Sequence, residues 1–154
     1  MSDLILVCYD GSELARRAID AAAELVSMRR AVVLNVGPPL TTLEWDALLV
    51  PGTLDFEHVN AMAARELAEQ GAIYARRAGF EAEAKGGVAA PIWQAIVTYA
   101  EVVDAAVIVL GSRALTGVGE LAKGSTSHRV AEHAGRPVFV VPPPIAESTR
   151  ALEA

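Results

Sequence analysis

The feature that most constrains this chain is a set of short apolar runs, each too short for a helix and each cut off by a turn-forming residue. They are Leu4–Tyr9 (LILVCY), Ala31–Val36 (AVVLNV), Ala105–Leu110 (AAVIVL) and Pro137–Val141 (PVFVV). Runs that are apolar throughout, rather than alternating, belong to strands buried on both faces. The segments between them supply the covering layers. Leu14, Ala18, Ala21, Ala22 and Leu25 fall at helical spacing, with Arg16, Arg17, Asp20 and Glu24 mostly off the stripe. Asp10-Gly11-Ser12 breaks the first run and offers caps for that helix. From about 55 to 78 the chain is rich in Ala, Glu and Arg, which favours a long helix, weakened locally by Gly71 and stopped by Gly79. Pro91 suits a first helical turn, and Ile92, Ile96, Tyr99, Ala100 and Val103 form a further stripe. Gly124-Ser125-Thr126-Ser127 opens a helix that runs to about Ala134. Phe80–Lys85 alternates as FEAEAK and is read as a strand, although its Ala and Glu content is poor for one.

Strands alternating with amphipathic helices define an α/β fold: a single doubly wound, five-stranded parallel sheet with helices on both faces. The 154 residues fit one domain, assigned to 1–144, with 145–154 as a tail and 37–54 left without an element. Hydrophobic residues make up 53% and aromatics only 5%, so the core must be aliphatic. A net charge of −6 without a basic block argues against a nucleic-acid face and against a polybasic membrane patch. No apolar run approaches the roughly 20 residues of a bilayer span. The opening Met-Ser-Asp lacks signal-peptide features, and Cys8 has no cysteine to pair with. A cytoplasmic protein is expected, with Cys8 a core residue.

In such sheets ligands collect at the carboxyl ends of the strands, where the strand order reverses. Three features converge there. Gly111 follows a buried strand directly, where glycine permits close approach to the backbone. Gly124-Ser125-Thr126-Ser127 sits at a helix start, whose free N–H groups favour an anion. Asp10 ends the first strand, where a carboxylate can accept from a ribose hydroxyl or help to hold a divalent cation. The set reads as a phosphate-and-ribose site, although neither GxxxxGK[ST] nor GxGxxG is present.

At these residues the chain resembles the universal stress proteins. Their nucleotide motif runs Gly, two residues, Gly, nine residues, then Gly-Ser or Gly-Thr, and it aligns with Gly111, Ala114, Gly124 and Ser125 at intact spacing. The flanks AAVIVLGSR and SHRVAEHAGRPVFVV, the opening VCYDGSELARRAIDAAAELV and the strand VVLNVGPP are similar to the family as well. The resemblance implies a Rossmann-like fold of the adenine-nucleotide α-hydrolase kind, with ATP as cofactor and Mg²⁺ or Mn²⁺ as a possible companion. It implies that the backbone of Cys8, Tyr9 and Asp10 lines the site, that Asp10 contacts the nucleoside and that Val36 borders the adenine. Leu110 and Gly111 would floor the ribose and phosphates, and Gly124, Ser125 and Thr126 would hold the phosphates. Arg113, inside the loop, is placed to reach an anion. The family's second glycine is Ala114 here. If φ must be positive there, alanine costs about 1–2 kcal/mol. With an ordinary φ the methyl only narrows the approach to a phosphate. The resemblance also implies a homodimer through the last strand, and leaves room for an unidentified protein partner.

Each feature has a plainer alternative. Gly111 can simply end a strand, and Asp10, Ser125, Thr126 or Ser127 can simply cap helices. His58, His128 and His133 lack the spacing of a metal cluster, and Trp45 and Trp93 read as packing residues. The leading expectation is a regulatory, stress-type adenine-nucleotide binder that is not an enzyme beyond slow ATP hydrolysis. The alternatives are a nucleotide-free interaction module of the same fold and an ATP-using enzyme.

Overall fold

Residues 2–39, 56–112 and 126–145 are described by the structure, a computed structural model. The elements run β1 (Leu4–Cys8), α1 (Glu13–Leu25), β2 (Arg30–Gly37), α2 (Phe56–Arg77), β3 (Glu81–Val88), α3 (Ile92–Val102), β4 (Val107–Gly111), α4 (Thr126–His133) and β5 (Val138–Val141). All strands pair in parallel, in the order β3-β2-β1-β4-β5. The expected doubly wound sheet is therefore present.

Successive residues of each strand serve opposite faces. Ile5 and Val7 of β1 join Ala31 and Val33 of β2 in a core closed by α1 and α2. Leu6 joins Val32, Leu34, Ile108 and Leu110 in a second core closed by Ile96 and Ala100 of α3 and Val130 of α4. This two-sided burial is the reason that β1 and β4 are apolar throughout and that β2 is apolar from Ala31 to Leu34.

Small residues let the helices lie close to the sheet. Ala64, Ala68, Ala72 and Ala75 form the buried stripe of α2. A side chain at Gly86 of β3 would overlap the backbone of Ala64 and Arg65. Gly86, the first of the two glycines that make FEAEAKGGV look like a strand about to end, is what admits α2. β3 runs on to Val88 and pairs with β2 from Arg30↔Glu81 to Gly37↔Val88. Its inward Ala82 and Ala84 meet the α1/α2 core, while Glu81, Glu83 and Lys85 stay exposed on this edge strand.

Two helix readings shift. The buried stripe of α1 is Ala15, Ala18, Ile19 and Ala22, whereas Leu25, in the last turn, is 72% exposed. The stripe sits one step round from a line through Leu14 and Leu25. The cap of α1 is Ser12, whose Oγ accepts from Ala15 N at 3.1 Å, rather than Asp10. Pro91 likewise sits at the cap position of α3, just outside its first turn.

Candidate functional site

The strand order reverses between β1 and β4, and there the sheet forks. The β1–β4 ladder ends at Val7↔Val109. β1 stays with β2 as far as Cys8↔Leu34, and β4 stays with β5 as far as Gly111↔Val141. The two halves of the sheet thus part at their carboxyl ends, which is where an open α/β sheet takes a ligand.

Several of the expected residues meet at or beneath this fork. Cys8, Tyr9 and Asp10 leave it on the β1 side, and Leu110 and Gly111 end β4 opposite them. Val36 lies near the end of β2, on the same sheet face as Cys8 and Leu110. Val36 is only half-buried and gives this corner an apolar surface, whereas Leu110 is buried beneath it. Thr126 is the first residue of α4 and is exposed. Arg113, Ala114, Gly124 and Ser125 lie outside the described residues.

The turn after β1 is tightly specified. Asp10 is exposed, and its Oδ1 accepts from Ser12 N at 2.9 Å. Gly11 has φ +83°, a left-handed conformation that a side chain resists. In Asp-Gly-Ser, then, the aspartate presents a carboxylate, the glycine makes the left-handed turn and the serine caps the helix. Upstream, Tyr9 contributes only backbone to the fork. Its ring is buried in the opposite direction, against Gly71 of α2. Tyr9 N donates to Leu34 O at 2.9 Å, and Tyr9 O accepts from the buried Asn35 Nδ2 at 2.7 Å. Sequence pattern alone does not single out Asn35, although a lone amide inside AVVLNV is the visible signal.

Gly111 has a packing reason that the sequence does not disclose. A Cβ there would lie 2.7 Å from Leu14 Cγ and 3.0 Å from Leu14 O, so the start of α1 covers it. The glycine is required by α1 whether or not a ligand approaches. Cys8 turns its side chain into the α3/α4 core. Burial, with the Asp10 carboxylate adding to it, pushes the thiol up to about 12. It stays protonated at neutral pH and is no nucleophile.

Trp93 packs against the α3/α4 core and is also a platform, but for the protein's own side chains. Its ring stacks on His133 at 4.7 Å between centroids, and Arg129 lies over it at 5.4 Å. Two open depressions lie away from the fork. One, of about 420 Å³, follows the groove between α1 and α2, and the other, of about 410 Å³, runs along α3. Among the described residues no three His, Cys, Asp or Glu side chains gather as a metal-binding group, and no helix is long and apolar enough to cross a membrane.

Fold and fork together define a doubly wound α/β protein with a ligand-type opening at its topological switch point. Comparison with known proteins then fixes the family. The model of the universal stress protein family matches residues 1–142. The universal stress protein YxiE of Bacillus subtilis (strain 168) is 30% identical over 152 residues, spanning 92% of this chain and 99% of that one. A universal stress protein from Archaeoglobus fulgidus, solved in complex with dAMP, is 26% identical with a TM-score of 0.59, covering 90% of this chain and 95% of its own. Another, solved in complex with cAMP, is similar in fold, with a TM-score of 0.68 at 21% identity over 90% of this chain and 95% of its own. The chain belongs to the universal stress protein family.

Proposed function

We propose that this chain binds an adenine nucleotide, ATP foremost, at the fork between β1 and β4, and serves as a regulatory stress-response module rather than as an enzyme. The observation that carries the reading is the fork itself. The β1–β4 ladder stops at Val7↔Val109, and Asp10 and Gly111 stand on either side of the opening. The dAMP and cAMP complexes of two related proteins support an adenine ligand.

In this reading the backbone of Cys8, Tyr9 and Asp10 lines the nucleoside end, and the Asp10 carboxylate accepts from a sugar hydroxyl or the base. Val36 offers an apolar edge to the adenine, and Leu110 and Gly111 form the floor. Arg113, Gly124, Ser125 and Thr126 take the phosphates by the motif's spacing, with Ala114 where the family has glycine. Asp10 is an exposed oxygen donor of the kind that Mg²⁺ or Mn²⁺ accepts, so the metal would enter with the phosphates and supply charge neutralisation. The reading also comprises cytoplasmic residence and a homodimer formed through β5.

Ligand-dependent thermal stability tests the proposal. ATP at 100 times its Kd stabilises the folded chain by about 2.7 kcal/mol. In a domain of this size that raises Tm by about 5–10 °C. Unmoved melting curves with ATP, ADP, AMP and cyclic AMP, each with and without Mg²⁺ or Mn²⁺, overturn it. Ala114→Gly is the companion variant, expected to bind ATP more tightly. A second reading, a nucleotide-free interaction module, draws on Gly111, whose contact with Leu14 requires glycine without any ligand.

A further inference from the structure

β1 leaves the sheet through an unusual last bond. Tyr9 N still donates to β2 in ladder fashion, to Leu34 O. The next bond of a parallel ladder would reach the Tyr9 carbonyl from the β2 backbone. Here it comes from a side chain, Asn35 Nδ2 at 2.7 Å. A carbonyl only accepts, so the amide nitrogen must face it. Asn35 is 7% exposed, in a strand whose neighbours are aliphatic. The sheet itself does not ask for an amide: the Asn35 backbone already pairs with Gly86, and a β-branched residue would suit the strand better.

The carbonyl that Asn35 holds belongs to the peptide joining Tyr9 to Asp10. Fixing that peptide sets the direction in which Asp10 leaves the strand. Downstream, the carboxylate is tied to Ser12 N. Asp10 is thus oriented from both sides, and the upstream tie is the Asn35 amide.

We propose that Asn35 is a positioning residue for the nucleoside end of the fork: by holding the Tyr9 carbonyl it sets where the Asp10 carboxylate stands, and so governs adenine-nucleotide affinity through Asp10. The proposal rests on the reading of the fork as the nucleotide site. It adds a residue that lies behind that site.

Asn35→Leu keeps the branched shape and removes the donor, and Asn35→His returns a ring N–H at the same distance along the side chain. Two measurements are made on each, hydrogen exchange of the Ser12 amide and ATP affinity by calorimetry. In Asn35→Leu, Ser12 exchange accelerates and ATP binding weakens, each about 10-fold, while exchange at Val7 is unchanged. Asn35→His recovers most of both. In an Asp10→Ala background, Asn35→Leu weakens ATP binding by less than about 2-fold, because the residue through which it acts is gone. Unchanged Ser12 exchange in Asn35→Leu overturns the proposal, as does an equally large ATP loss in the Asp10→Ala background. If the wild-type chain binds no ATP, the nucleotide reading fails, and Ser12 exchange alone decides whether Asn35 orients Asp10. Asn35→Ser, too short to reach the carbonyl, replaces the leucine variant if that chain does not fold.

Discussion

Gly71 lies in the middle of α2, where helix propensity alone asks for alanine and marks the glycine as a weak point. Packing explains it. A Cβ there would lie 2.6 Å from the Tyr9 ring and 2.8 Å from Val33 Cγ1. Gly71→Ala gains about 1 kcal/mol of propensity and forces overpacking that costs about 1–3 kcal/mol. A net loss is expected, read as a lower urea midpoint at unchanged slope, and a more stable variant would refute it. Cys8 supplies a second residue-scale prediction. Its thiol is pushed up to about 12 in the folded chain, against about 8.5 when unfolded. Below the unfolded value both states hold the proton and stability is unaffected. As pH rises past it, only the unfolded thiol ionises, so stability falls toward the folded value. Urea midpoints measured from pH 8 to pH 11 should therefore decline more steeply in the wild type than in Cys8→Ala, and parallel declines would contradict the buried thiol. Cys8 is legible as a core residue from the apolar run around it, whereas Gly71 is legible in identity but not in role. Glycine in a helix is visible, but the ring packed against it is not, because non-local contacts leave no mark on local pattern.

At the scale of elements, the turn from β1 into α1 separates stability from recognition. Ser12 Oγ caps α1, and the Asp10 carboxylate is held by the Ser12 backbone, which a side-chain substitution leaves in place. Ser12→Ala is expected to cost about 1 kcal/mol of stability and to leave ATP affinity nearly unchanged. Asp10→Ala is expected to do the reverse, weakening ATP binding with little effect on the urea midpoint. If both variants lose affinity and stability together, the division of labour in this turn is wrong. The elements show where sequence pattern suffices. β1, β2 and β4 are legible because burial on both faces leaves Asn35 as the one polar side chain inside them, beyond Arg30 at the exposed start of β2, and Asn35 is the amide that ties β2 to Tyr9. β3 is harder, since only Ala82 and Ala84 face a core and Gly86 reflects the passage of α2 rather than the end of the strand. The α1 stripe falls one step off in sequence because alanine is ambiguous: Ala15 and Ala21 look alike there, and only Ala15 is buried.

At the scale of the molecule, the strand order among the described residues places β3 and β5 at the two edges of the sheet, and they differ in kind. β3 carries exposed Glu81, Glu83 and Lys85, charges that discourage a second strand from pairing. β5 is Val138–Val141, VFVV, with Val140 38% exposed and no charge along its length. An apolar, uncharged edge tends to find a partner. In a closed symmetric pair, β5 can meet its own copy about a two-fold axis, where each chain offers the same surface. The fork lies one strand inward, between β1 and β4, so pairing at β5 extends the sheet without covering Asp10. The wild-type chain is therefore expected to show twice its 16.2 kDa in light scattering. Val140→Lys places a charge in the pairing edge of both copies and should return the mass to that of one chain, with ATP affinity retained. A wild-type mass of one chain removes the dimer, and a Val140→Lys dimer moves the interface away from β5.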